Sequence, residues 1–324
     1  MKIEDVLRDT LADMAHEQPP PPPARFLQAV GGRRRGSRGV ALAAAAAVAV
    51  LAAGSTVAVR GLAGGEAVPG AVPAERGSGR ASTSPEPDRP EVLVPVQDGL
   101  RLVDVLPRLA RATGRPLAEF ERASRNGAAL GLPAYAKGRL EGFAFPDTYR
   151  ISPGTSAEEV LASMVKRFRR TADEVHLEDA ARRAGRTPRE IMIIASIVQA
   201  EAARTADMPK IARVIYNRLG HKPPMRLQMD SPLLYALGKY AVQATNEELR
   251  SRSRYNTYRF PGLPPGPIGN PGRAAIEAAL HPATGPWLYY VAVDPATGET
   301  RFIGSQAEYL RLLDGLRQKR KGTS

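Results

Sequence analysis

Glu201 is the residue of this chain whose spacing best suits acid–base chemistry. Within residues 191–219, IMIIASIVQAEAARTADMPKIARVIYNRL, Ile194, Ile197, Val198 and Glu201 fall at i, i+3, i+4 and i+7. A carboxyl group therefore continues an apolar helical stripe. Burial disfavours the charged form, and a carboxylic acid that keeps its proton near neutral pH is what general acid catalysis needs. The structural alternative is a helix-end glutamate that caps a turn or pairs with Arg204 or Arg213. Downstream lie three polar clusters, Tyr216-Asn217-Arg218, residues 226–230 (RLQMD, with Gln228 and Asp230) and residues 255–259 (YNTYR, with Tyr255, Asn256 and Tyr258). Amide, carboxyl and phenol groups among apolar rings suit a carbohydrate cleft, because sugars offer hydroxyls at their edges and C–H surfaces on their faces. Gly142, Phe143, Phe145, Pro146, Asp147 and Tyr149 crowd rings and a carboxylate into a turn-rich run that would also stack on sugars, or that packs as loop aromatics.

These groups need elements to hold them. Thr187-Pro188-Arg189-Glu190 reads as a helix start, with threonine as N-cap, proline at the first helical position and glutamate closing a capping box. The spacing predicts a helix over 188–204. A second capping box at Thr155 or Ser156 with Glu158 or Glu159 opens a helix whose apolar face is Val160, Met164 and Phe168. Earlier, 91–96 alternates as a strand, and 101–113 and 116–126 have helical spacing. Residues 261–271, PGLPPGPIGNP, exclude helix and central strand and predict an ordered functional loop. A short helix over 272–280, a hairpin of 289–293 with 300–303, and a basic helix over 306–319 close the chain.

Composition sets the wider class. Residues 39–59 form an apolar, alanine-rich run without a charge, long enough to span a bilayer. Arg33, Arg34, Arg35 and Arg38 precede it, which places the N-terminus in the cytoplasm and the remainder outside; a cleaved signal peptide is the competing reading. The organisation expected is a cytoplasmic, proline-rich tail (1–38), a transmembrane helix (39–59), a disordered linker (60–90), a small subdomain (91–140) and a catalytic domain (141–318). There is no cysteine, which excludes disulfides and thiolate chemistry. The formal net charge is +13, but the arginines are scattered and no nucleic-acid motif accompanies them. Anionic lipid or wall polymer fits this balance better than nucleic acid.

The blocks EGFAFPDTYRISPGTSAEE, IASIVQAEA, KIARVIYNRL, LQMDSPLLYALG, SRYNTYRFPGLPPGPIGNPGRAAIEAALHP and LYYVAVDPATGETRF occur in that order. Together they resemble the YceG-like endolytic murein transglycosylases, the MltG family, over about residues 91–313. The resemblance implies an α+β ectodomain behind a single membrane helix, in which a LysM-like subdomain precedes a mixed α/β catalytic domain. It implies cleavage of nascent peptidoglycan strands between N-acetylmuramic acid and N-acetylglucosamine, leaving 1,6-anhydro ends, with no metal and no cofactor. Penicillin-binding proteins and the elongation machinery are its implied partners. Many members carry two glutamates in the block that here holds Gln199 and Glu201, so Glu201 alone remains as the acid. LQMDSP stands where relatives commonly read LQTDPT. By the same resemblance Asn217, Arg218, Gln228, Asp230, Tyr255, Asn256, Tyr258 and Asn270 bind substrate. A hydrolytic glycosidase normally needs two carboxylates. A lytic transglycosylase manages with one, because the sugar's own C6 hydroxyl attacks. A muramidase using Glu201 with Asp230 or Asp147, and a non-catalytic wall-binding scaffold, are the alternatives.

Overall fold

The computed structural model describes residues 91–321 apart from 242, 295 and 296. The expected tail, transmembrane helix and linker lie outside the described residues. Among those described, no helix is long and apolar enough to cross a membrane.

Two apolar cores organise the described chain. The first belongs to a strand–helix–helix–strand unit. Strand β1 (Val92–Pro95) leads into α1 (Leu102–Thr113) and α2 (Leu117–Arg125), and the chain returns as β2 (Thr148–Ile151), antiparallel to β1 with Val94 opposite Tyr149. Val105, Leu109 and Phe120 bury completely against Val160, Leu161 and Met164 of α3 (Ala157–Glu174). This unit runs past the boundary expected at 140, since among the described residues β1 pairs with 148–151 and α3 closes the core. Ser156 and Glu159 form the capping box that starts α3.

The second core surrounds α5 (Pro188–Glu201), which follows the short α4 (Leu177–Arg183). Thr187 accepts from the Glu190 N–H and Glu190 from the Thr187 N–H, so the predicted cap is present. Every residue from 191 to 199 is buried. The helix is thus central, apolar on nearly all sides, and its stripe is one line within a fully enclosed cylinder. It packs on α6 (Met208–Gly220), α7 (Asp230–Ala236) and α8 (Arg273–Leu280). The expected end at 204 is corrected: the helix stops at Glu201, because Ala202 turns to extended backbone (φ −75°, ψ 121°) and Ala203 and Arg204 meet the turn of a hairpin, β3 (Tyr289–Asp294) with β4 (Glu299–Ile303). Helix α9 (Gln306–Lys321) packs on that hairpin.

The loop at 261–271 is ordered by α5. Arg189 donates to Pro265 O (2.8 Å), Ser196 Oγ accepts from Ile268 N (3.1 Å), and Gln199 Oε1 accepts from Gly272 N (3.1 Å). Gly142 meets this loop where no side chain fits. Its φ is +91°, and a Cβ there would lie 2.5 Å from Pro267.

Candidate active site

Glu201 ends α5 where α7 and β3 meet it. The residue is 6% exposed. Ser231 Oγ, at the start of α7, donates to Oε1 (2.5 Å), and Tyr290 Oη, from β3, donates to Oε2 (2.9 Å). Neither Arg204 nor Arg213 pairs with it; Arg213 donates instead to Pro282 O and Ala283 O. Burial pushes Glu201 above the usual carboxyl range, against the hydrogen bonds of Ser231 and Tyr290 and the positive field of Arg218. Its place at a helix C-terminus also disfavours the anion. Tyr290, itself raised well above the ordinary phenol value by burial and by the Glu201 charge, stays a donor.

Asp230 stands next to Ser231 and feels the Glu201 charge. Burial first, and that charge second, raise it to about 6, while Tyr258 and the Ala244 N–H (3.2 Å) hydrogen-bond it. Two neighbouring carboxyls withdrawn from water resist double ionisation, so the pair favours keeping a proton. Tyr258 is held protonated by burial and by Asp230. Gln228 is exposed beside them on left-handed backbone (φ 46°), fixed by its N–H to Thr257 O (3.2 Å). A non-glycine residue held there costs energy that the surrounding bonds must supply.

Glu201, Asp230 and Tyr258 are thus brought together, with Gln228 two residues before Asp230 and tied through its backbone to Thr257, while the other expected substrate-binding residues have other work. Asn217 donates both amide hydrogens to carbonyls, Gly285 O (3.0 Å) and Trp287 O (2.8 Å). Buried Arg218 donates to Leu288 O (2.6 Å) and Leu227 O, fixing the chain on either side of the acid. Asn256 is fully buried; it donates to Leu249 O and Ser251 O and accepts from Tyr258 N, so it shapes the loop that aims Tyr258. Asn270 is equally enclosed, accepting from Gly142 N and Ala144 N and donating to Leu100 O and Glu141. Tyr255 packs its ring on Tyr235 at 5.3 Å. Asn217, Asn256 and Asn270 spend their amide hydrogens on the backbone or on Glu141, and Arg218 spends Nε and Nη1 on carbonyls, so in this structure these groups position the chain around the acid.

The sugar-stacking reading of 142–149 is corrected too. Phe143 is enclosed and edge-on to Phe168 (5.1 Å, 89°), Phe145 and Tyr149 are buried, and Tyr149 donates to Phe145 O. Asp147 is drawn off by Arg167 (2.6 Å), which holds it below the usual carboxylate range. It shares nothing with Glu201. Gln199 also faces away, towards Gly272. Ser231 and Tyr290 escaped the sequence reading. They lie 30 and 89 residues from Glu201, and no local pattern links them to it.

Comparison with known proteins gives this geometry a setting. Residues 80–314 match the model of the YceG-like family. The chain is similar to the endolytic murein transglycosylase of Bacillus subtilis (strain 168), 38% identical over 171 residues, which is 52% of this chain and 46% of that protein. It is also similar to the endolytic murein transglycosylase of Streptococcus pneumoniae serotype 2 (strain D39 / NCTC 7466), 33% identical over 181 residues, or 54% of this chain and 32% of that one. The chain therefore spans about half or less of these curated relatives. A yceG-like protein of Listeria monocytogenes, solved by crystallography at 2.6 Å, superposes with a TM-score of 0.61 at 28% identity, covering 69% of this chain and 76% of its own. On the extent of the family match, this chain belongs to the YceG-like family.

Proposed function

We propose that the protein is a membrane-anchored endolytic murein transglycosylase in which Glu201 is the general acid and base. The observation that carries this reading is the single buried glutamate, raised in pKa and held by two hydroxyl donors at a junction of α5, α7 and β3. The activity for which the relatives are named, endolytic murein transglycosylase, supports the substrate class. A protonated Glu201 has one O–H to give and retains acceptor capacity for Ser231 and Tyr290. In the reaction it protonates the glycosidic oxygen between N-acetylmuramic acid and N-acetylglucosamine as the C1–O bond breaks. The C6 hydroxyl of the same muramic residue closes on C1, and its proton returns to Glu201. No water is consumed, and the acid ends in its starting state. In this reading Asp230, when ionised, stabilises the oxocarbenium-like charge, and the exposed Gln228 and half-buried Tyr258 orient the strand.

The nearness of Asp230 favours one second reading, a muramidase in which Asp230 activates water or attacks C1. Cleavage of uncrosslinked glycan strands by the full chain in H₂¹⁸O separates the two. The transglycosylase gives 1,6-anhydro ends free of ¹⁸O by mass spectrometry; labelled reducing ends would establish the muramidase. Binding without cleavage would leave a scaffold. The strand–helix–helix–strand order of 92–151 supports a LysM-like role for the first unit. Anchoring through 39–59 belongs to the same proposal and puts cutting beside strand synthesis by penicillin-binding proteins. A reporter fused after Arg60 should then be active only outside the cytoplasm.

A further inference from the structure

A row of half-buried rings leads away from Glu201 along the hairpin. Tyr290, which hydrogen-bonds the acid, stands opposite Phe302 in the β3–β4 register with ring centroids 6.1 Å apart. Phe302 in turn lies 5.7 Å from Trp287, the one tryptophan of the chain. The Lys210 ammonium, from the first turn of α6, sits 5.3 Å from the Phe302 centroid and 6.0 Å from that of Trp287. Among the described residues it makes no ion pair or hydrogen bond. Asp207, three residues earlier, is buried with Oδ2 unpartnered and makes no ion pair with it.

The platform is held rigidly. Asn217 binds the carbonyls of Gly285 and Trp287, and Arg218 binds that of Leu288, so two residues of α6 fix the segment carrying the indole. Glycine at 285 lets the backbone lie against the ring, where a Cβ would come within 2.6 Å of Trp287 Cζ3. Such pre-organisation lowers the ordering cost of binding. Flat apolar surface beside a cation without an ion-pair partner among the described residues matches a ligand with a C–H face and a carboxylate. We propose that Trp287, Phe302 and Lys210 form a saccharide subsite next to Glu201. In it the indole packs on a sugar ring and the ammonium pairs with a carboxylate of the strand. This rests on the peptidoglycan reading above. That carboxylate belongs either to the lactyl group of a muramic residue or to its stem peptide.

Trp287 makes the test direct, because all indole emission of the full chain comes from this subsite. Titrations use the Glu201→Gln chain, so that no strand is cut, with co-sedimentation as an independent measure of binding. Three probes are added: neutral N-acetylglucosamine oligomers, peptide-free glycan strands with bare lactyl carboxylates, and peptide-bearing strands. Every probe that binds should shift the Trp287 emission. Lys210→Met should weaken carboxylate-bearing strands by about tenfold and leave neutral oligomers unchanged, and Lys210→Arg should restore binding. A loss confined to peptide-bearing strands assigns the carboxylate to the peptide; a loss on both assigns it to the lactyl group. Strands that sediment with the protein while the emission stays constant would overturn the subsite alone. Equal loss on neutral oligomers would do the same. Strands that fail to sediment at all would overturn both the subsite and the peptidoglycan reading.

Discussion

Two glutamates bracket helix α7, Glu201 buried and Glu141 half-buried. Ser231, near its start, reaches Glu201, and Tyr235, near its end, reaches Glu141 (3.2 Å). Burial raises both, Glu141 to about 7 against the Leu102 N–H and the Tyr235 hydroxyl. Their settings differ in kind. Glu141 accepts from the Leu102 N–H (3.2 and 3.3 Å) at the start of α1 and from Asn270 (3.3 Å), so it ties the first unit to the loop before α8. Its donors on that side are fixed backbone and an enclosed amide. Glu201 accepts from two side-chain hydroxyls and has a second acid beside it. Hydroxyls can rotate as a proton leaves and returns, whereas a backbone amide cannot. A raised pKa therefore does not by itself single out an acid catalyst; what separates Glu201 is that two side-chain hydroxyls donate to it.

The contrast is broken most severely by removing one proton at a time. Glu201→Gln should lower strand cleavage by about 10²-fold or more, and Glu141→Gln by less than about threefold, measured as anhydro ends released. Equal losses would erase the distinction. Stability should rank them in reverse. Glu141→Ala strands the Leu102 N–H and the Asn270 amide, at a cost of about 2–4 kcal/mol in denaturant unfolding, while Glu201→Gln should be close to neutral. The smallest effect is a pH dependence. Because folding raises Glu141 from 4.5 to about 7, its contribution is fully present below pH 4.5 and is lost as pH rises through 7. Glu141→Gln has no carboxyl to ionise there, so its melting temperature should fall less than that of the wild type across this window.

Local chemistry was legible and distant pairing was not. The Thr187–Glu190 cap and the Ser156–Glu159 cap lie within four residues, and both are present. The end of α5 was not readable, because Ala202 carries no breaker and the stop depends on the hairpin turn near residue 298. Phe143, Phe145 and Tyr149 have the composition of a cleft and the burial of a core, a choice made by Phe168 and Arg167 on another helix. Amides such as Asn217 and Asn270 look equally suited to sugars or to carbonyls until the partners 68 and 128 residues away are known. Glu141 stood at the head of an aromatic run whose rings drew the functional reading. Its partners, Leu102 and Tyr235, are 39 and 94 residues distant.

The central claim is that Glu201 acts as an acid whose proton is retained by burial, and the pH dependence of kcat/KM for the full chain on uncrosslinked strands tests it most directly. The rate should fall as pH rises through a pKa above the ordinary glutamate range. Tyr290→Phe, which removes a hydrogen bond to the ionised form, should move that fall to higher pH. A rate that climbs as Glu201 ionises, or a limb that Tyr290→Phe leaves in place, would contradict the account.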